Sequence, residues 1–108
     1  MLVLFDNGTP RSLANYLIGH TVTEARARGW DMLSNGDLLS AAENAGFDVL
    51  ITTDKNIRYQ QNLAERRISL VVLGQGRWAL IRMHAAAIAA AVASSTPGSF
   101  TEIEIPLV

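Results

Sequence analysis

The chain has 108 residues, of which 49% are apolar and 18% charged, and it contains no cysteine. This length predicts a single domain over residues 1–108. An apolar share near half argues against disorder. The lack of cysteine excludes a disulfide scaffold, a zinc–cysteine site and thiol catalysis, and it fits a reducing cytoplasm, where we expect the protein. The formal net charge is −1, so any contact with a nucleic acid has to be local.

Short apolar runs alternate with helical patterns along the chain. Strands are predicted at Leu2–Phe5, Thr21–Thr23, Asp48–Thr53, Ile68–Leu73 and Phe100–Ile105. Most of these runs are apolar without interruption, which is typical of strands buried on both faces of a sheet. The alternation predicts an α/β fold: a three-layer α/β/α architecture with a mostly parallel sheet of four or five strands.

Capping residues indicate where several helices begin and end. Thr9 and Asn35 are good N-caps, and Gly46 is a good C-terminal stop. The apolar stretch Ala79–Ala93 is shorter than the roughly 20 residues of a membrane span. We therefore expect no membrane contact. Helices are predicted from Pro10 to about Gly19, over Asp37–Ala45, from about Ile57 to Glu65 and over Arg77–Ser95, and Glu24–Arg28 is compatible with a helix.

Three aspartates fall at the ends of predicted elements. Asp6 follows the first strand, Asp54 follows the third, and Asp37 opens the helix that leads into the third strand. The carboxyl ends of parallel strands and the N-termini of connecting helices share one edge of a sheet, so we expect these three carboxylates to converge. Oxygen ligands favour Mg²⁺ or Mn²⁺, which activate water at a phosphodiester. Singly, each aspartate also fits an ordinary role in a turn or a helix cap; together they are the predicted metal ligands and catalytic residues.

Polar and cationic side chains lie close to these acids in the sequence. Amides and hydroxyls there can orient water, and the cations form a local patch suited to a phosphate backbone. The predicted substrate-binding residues are Asn7, Thr53, Lys55, Asn56, Arg58, Gln61 and Arg66.

Three segments resemble the PIN-like domains, small metal-dependent ribonucleases that often are the toxins of bacterial toxin–antitoxin pairs. The segments are Leu4–Pro10, Gly36–Ala42 and Asp48–Asn56. With the order of elements, the likeness spans roughly residues 2–75, and it is greatest to a compact PIN-like branch of uncharacterised function. The resemblance implies that the first strand is central in the sheet and that Asp6, Asp37 and Asp54 hold Mg²⁺ or Mn²⁺. It also implies hydrolysis of RNA by metal-activated water and an antitoxin protein as a partner.

Other functions stay open. Asn7 and Asn56 stand where many PIN-like domains carry acids, so a non-catalytic binding module on the same scaffold is the main alternative. The alanine-rich Arg77–Ser95 and the apolar ending Ile103–Val108 offer surfaces for a protein partner or a homodimer. A phosphoacceptor domain like the bacterial receiver domains is disfavoured, because no lysine follows Lys55.

Overall fold

A computed structural model of the protein describes residues 1–57 and 62–107. The strands in these residues are β1 (Leu2–Phe5), β2 (Thr21–Glu24), β3 (Val49–Thr52), β4 (Ser69–Leu73) and β5 (Phe100–Ile103). They form one parallel sheet in the order β2–β1–β3–β4–β5. The α/β class and the parallel five-stranded sheet are confirmed. β1 lies inside the sheet between β2 and β3, and β3 occupies the middle position.

Helices cover the sheet on both faces. Within the described residues the α-helices include α1 (Asn35–Asn44), α2 (Trp78–Ile81) and α3 (Ala85–Ala93), and 3-10 helices span Arg11–Tyr16, Ala25–Arg28, Leu63–Glu65 and Arg82–His84. Within residues 1–57 and 62–107, no helix is long and apolar enough to cross a membrane.

Two apolar cores explain the uninterrupted apolar runs. Successive side chains of β1, β3 and β4 point to opposite faces of the sheet. On one face, Val3, Phe5, Val49, Ile51, Val71 and Leu73 pack with Leu13, Leu17 and residues of α2 and α3. On the other, Leu4, Leu50, Leu70 and Val72 pack with Leu38, Leu39 and Ala42 of α1. Every residue of β3 and β4 is therefore buried, as the sequence predicts for a covered parallel sheet.

The first helix is shorter and tighter than predicted. It is a 3-10 helix that ends at Tyr16, because Leu17 leaves the helical region with φ −99° and ψ 61°. Ile18 is consequently 88% exposed and does not join the apolar face. The prediction that Thr9 caps this helix is wrong: Pro10 occupies the N-cap, and the Thr9 hydroxyl turns toward the sheet.

Two other helices differ from their predicted extents. α1 begins at Asn35 with Ser34 as its N-cap, so Asn35 is not the cap. The predicted helix over Arg77–Ser95 is interrupted, because His84 has φ −113° and ψ 12° and the preceding turn tightens to a 3-10 helix. The predicted helix from Ile57 to Glu65 lies partly outside the described residues, and its last turn is a 3-10 helix over Leu63–Glu65.

Candidate functional site

The loops after β1, β3 and β4 meet at the carboxyl edge of the sheet. Gly8 in the first loop lies so close to Thr53 in the second that a Cβ on Gly8 would overlap the Thr53 hydroxyl oxygen. Gly76 in the third loop also faces the first, since a Cβ on Gly76 would stand 2.9 Å from the carbonyl oxygen of Gly8. These contacts surround the switch point between β1 and β3, where open α/β sheets bind ligands.

The carboxylate of Asp6 is held by three donors. Its Oδ1 accepts hydrogen bonds from the main-chain N of Gly8 at 3.1 Å and from Thr9 Oγ1 at 2.9 Å, and its Oδ2 accepts from the hydroxyl of Thr52. Thr9 Oγ1 is also 2.8 Å from the carbonyl oxygen of Ile51, so its single proton is shared between two acceptors. Both threonines are buried, which fixes the orientation of Asp6.

A single hydroxyl connects Asp6 to Asp54. Thr52 Oγ1 donates to Asp6 Oδ2 and accepts a hydrogen bond from the main-chain N of Asp54 at 3.1 Å. Asp54 in turn accepts from Asn35 Nδ2 at 2.7 Å on Oδ2 and from the main-chain N of Asn56 at 2.9 Å on Oδ1. The ends of β1 and β3 and the start of α1 are thus joined in one hydrogen-bonded chain.

Asp37 does not take part in the hydrogen bonds that join Asp6, Thr52, Asp54 and Asn35. It is exposed in the first turn of α1, where its main-chain N donates to the Ser34 hydroxyl at 3.3 Å. Because Ser34 caps the helix, Asn35 is the residue that reaches Asp54. In the described part of the chain no three acidic or histidine side chains form a group that could hold a metal ion. The structure therefore links Asp6 to Asp54 and does not bring Asp37 into a cluster with them.

The donor set at this edge still fits a hard divalent ion. Asp6 and Asp54 supply carboxylate oxygens, and the hydroxyl oxygen of Thr52 lies beside them. Mg²⁺ is usually bound through one or two carboxylates while it keeps several waters. Asp6 and Asp54 together meet that requirement. The described residues contain no group of three or more acidic or histidine side chains that could surround the ion.

The predicted substrate-binding residues are divided between several roles. Asn7 Nδ2 donates to the carbonyl oxygen of Asp31 at 2.8 Å and so ties the first loop to the segment before α1. Thr53 is half-buried against Gly8, and Lys55 is exposed beside Asp54. The predicted contacts Arg58 and Gln61 lie outside the described residues.

Arg66 takes part in an ion pair that packs the start of β4 against α1. Its Nη1 lies 2.6 Å from Oε1 of Glu43, and the two side chains are 19% and 13% exposed. Burial raises the pKa of Glu43, but hydrogen bonds from the main-chain N of Arg67 and from Arg66, with the charge of Arg66, outweigh burial and lower the pKa below 4.5. Arg66 is therefore engaged with α1 rather than presented as an open phosphate contact.

Three residues of this edge were not among the predicted site residues. Thr52 and Asn35 hold the two acids, and Gln75 lies in the loop after β4. Gln75 Oε1 accepts a hydrogen bond from the main-chain N of Arg77 at 2.8 Å, while its buried Nε2 has no hydrogen-bond partner within the described chain. The pair of glycines around Gln75 is a sequence signal for a loop in close contact with other backbone.

A separate cavity of about 270 Å³ lies at the opposite, amino edge of the sheet. The side chain of Asp48 borders it and accepts a hydrogen bond from the main-chain N of Leu2 at 2.8 Å, next to the starts of β1 and β3. The cavity is therefore distinct from the edge that carries Asp6 and Asp54. It is lined by Glu43, Gly46, Phe47, Asp48, Arg67 and Pro97.

Comparison with known proteins found no matching family model, no matching curated protein and no matching solved structure.

Proposed function

We propose that this chain is a PIN-like, divalent-metal-dependent ribonuclease that works at the carboxyl edge of its sheet. The observation that carries the proposal is that the Thr52 hydroxyl contacts both the carboxylate of Asp6 and the main-chain N of Asp54, at the switch point between β1 and β3. Two carboxylates in such a place repel each other unless a cation balances them. Among the described residues Lys55 is the cation next to them in sequence, and it is exposed.

Mg²⁺ or Mn²⁺ is the group that this donor set fits, with Asp6 and Asp54 as the protein ligands. When bound, such an ion supplies water activation and neutralises charge on a phosphodiester. The protein's own contribution is orientation, because Thr9, Thr52 and Asn35 hold both carboxylates before any ligand enters.

RNA is the substrate in this proposal, and the protein acts in the cytoplasm. Lys55 beside Asp54 and the exposed Asn56 would contact the phosphate backbone, since cations and amides donate to phosphate oxygens. Asp37, at the exposed start of α1, is not one of the ion's ligands in this proposal. A toxin of this kind would be neutralised by an antitoxin protein, and expression of the chain alone would then slow bacterial growth.

The direct test is cleavage of a labelled single-stranded RNA in Mn²⁺. Asp6→Asn and Asp54→Asn should each lower the rate by about 100-fold or more, because each variant loses a ligand charge. Asp37→Asn should have a smaller effect than either. Asp31→Asn is the matched control: Asp31 is exposed, contacts Asn7 through its main-chain oxygen, and undergoes the same loss of charge. Equal activity of wild type and both inner variants would refute the proposal.

A non-catalytic binding module is the second candidate, and one observation favours it. Both acids already accept hydrogen bonds from neutral groups, and the described residues hold no group of three possible metal ligands. Calorimetric titration with Mn²⁺ separates the two candidates. Binding that disappears in Asp6→Asn supports the ribonuclease, and no heat at millimolar Mn²⁺ supports a module that binds a protein, RNA or a second copy of the chain.

A further inference from the structure

Asn7 joins the loop that carries Asp6 to the segment that leads into α1. Its Nδ2 donates to the main-chain oxygen of Asp31 at 2.8 Å. Four residues later in the chain, Nδ2 of Asn35 donates to the carboxylate of Asp54 at 2.7 Å. The two amides therefore hold the two ends of one short segment. One end is tied to the loop after β1, and the other end is tied to the loop after β3.

Thr52 closes these contacts into a ring. Its hydroxyl donates to Asp6 Oδ2 and accepts a hydrogen bond from the main-chain N of Asp54 at 3.1 Å. Asn7 directly follows Asp6 in the chain, so the hydrogen bonds and the connecting backbone return to their starting point. Both of the acids that we propose as metal ligands belong to this ring, and the bond from Asn7 to Asp31 completes it.

The segment between the two amides has little packing of its own to hold it. Every residue from Asp31 to Ser34 is exposed, and Met32 is 90% exposed. Trp30, just before the segment, packs against the core on this face of the sheet, as α1 does just after it. A segment with few buried apolar contacts depends on its hydrogen bonds for a fixed position. The bond from Asn7 therefore helps to determine where α1 begins.

We propose that Asn7 is a positioning residue for the divalent ion, and that it acts through Asn35 on the carboxylate of Asp54. The proposal rests on the metal-dependent function proposed above. A fixed start of α1 keeps the amide of Asn35 within reach of Asp54. A carboxylate that is oriented before the ion arrives binds the ion more tightly than one that has to be ordered on binding.

The test compares Mn²⁺ binding by wild type, Asn7→Ala, Asn35→Ala and the double variant, measured by titration calorimetry. Asn7→Ala should weaken binding by about 3-fold or more, but by less than Asn35→Ala, because it acts on the ligand indirectly. The double variant should bind as weakly as Asn35→Ala alone, since the effect of Asn7 passes through that amide. Asn15→Ala is the control, because it is the same truncation at an exposed position of the 3-10 helix Arg11–Tyr16, and it should leave the affinity unchanged.

A second measurement uses the protein without metal. In its nitrogen–proton NMR spectrum, the side-chain amide signals of Asn35 should move in Asn7→Ala and stay in place in Asn15→Ala. Either unchanged Mn²⁺ affinity or unmoved Asn35 signals in Asn7→Ala would overturn the inference and leave the ribonuclease proposal intact. Additive losses of affinity in the double variant would also overturn it, because Asn7 would then act independently of Asn35. Absence of Mn²⁺ binding by wild type would instead refute the ribonuclease proposal, and the role of Asn7 with it.

Discussion

The amide of Asn35 donates to the carboxylate of Asp54 across 2.7 Å, from Nδ2 to Oδ2. This bond joins the first residue of α1 to the loop after β3, two elements that meet because α1 packs on the sheet through Leu38 and Leu39. The orientation of Asp54 therefore depends on where α1 begins. Ser34 determines that point, since its hydroxyl caps the helix.

Removing the amide of Asn35 should loosen Asp54 without altering the fold. Asn35→Ala should weaken Mn²⁺ binding by about 10-fold, the usual effect of losing a group that orients a metal ligand. It should also lower the free energy of unfolding by about 1–2 kcal/mol, because the bond has a charged acceptor. Titration calorimetry and urea denaturation measure the two effects. Asn44→Ala at the other end of α1 is the control, and equal Mn²⁺ affinity of both variants would contradict the role of Asn35.

We predict that stability and cleavage depend on the hydroxyl of Thr52 more than on the volume of its side chain. Thr52→Val has nearly the same volume, but it leaves Asp6 Oδ2 and the main-chain N of Asp54 without a partner at a buried position. We expect a loss of about 1–3 kcal/mol in the free energy of unfolding and a strong loss of cleavage. Thr52→Ser keeps the hydroxyl and should recover most of the activity. Thr21→Val on the exposed start of β2 is the matched control; a Thr52→Val enzyme as active as Thr52→Ser would rule out the bridging role.

The parallel sheet was predictable because its strands are covered on both faces. β1, β3 and β4 are uninterrupted apolar runs, and such runs indicate strands with helices on each side. The first helix was less predictable. Its apolar residues suggest a face that includes Ile18, but Leu17 already leaves the helical region and Ile18 turns to solvent. The spacing of apolar residues cannot show where this helix ends, because its end depends on how the chain returns to β2.

The positions of two acids were predictable, and their partners were not. Asp6 and Asp54 follow β1 and β3, and parallel neighbours end at the same edge. Asp37 also lies near a helix start, but the predicted cap of that helix was Asn35, whereas Ser34 caps it in the structure. A shift of the cap by one residue turns each side chain of the first turn by about 100°, since a helix has 3.6 residues per turn. With the helix in this register, Asn35 is the residue that contacts Asp54, and Asp37 is exposed.

The close approach of the first and second loops can be tested with one added methyl group. Gly8→Ala places a Cβ in the volume of the Thr53 hydroxyl, so we expect a loss of about 1–3 kcal/mol in the free energy of unfolding. Thr53→Ala removes the atom that collides, and a Cβ on residue 8 would then be 3.5 Å from the Cβ of residue 53, an ordinary contact. The double variant should therefore be more stable than Gly8→Ala alone. Additive losses in this double-mutant cycle, measured by urea denaturation, would show that the two loops are not in contact.

The ion pair between Glu43 and Arg66 predicts a loss of stability in acid. The folded pKa of Glu43 lies below its ordinary value of 4.5, because the hydrogen bonds and the charge of Arg66 outweigh burial. A group with a lowered pKa stabilises the fold above its unfolded pKa, and this contribution is lost as the pH falls through the folded pKa. Glu43→Gln should therefore be less stable than wild type at neutral pH, and the difference should shrink below pH 4.5. Urea midpoints measured from about pH 3 to 7 test this, with Glu102→Gln on the exposed side of β5 as the control. A difference between wild type and Glu43→Gln that stays constant over that range would show that the charge of Glu43 does not support the fold.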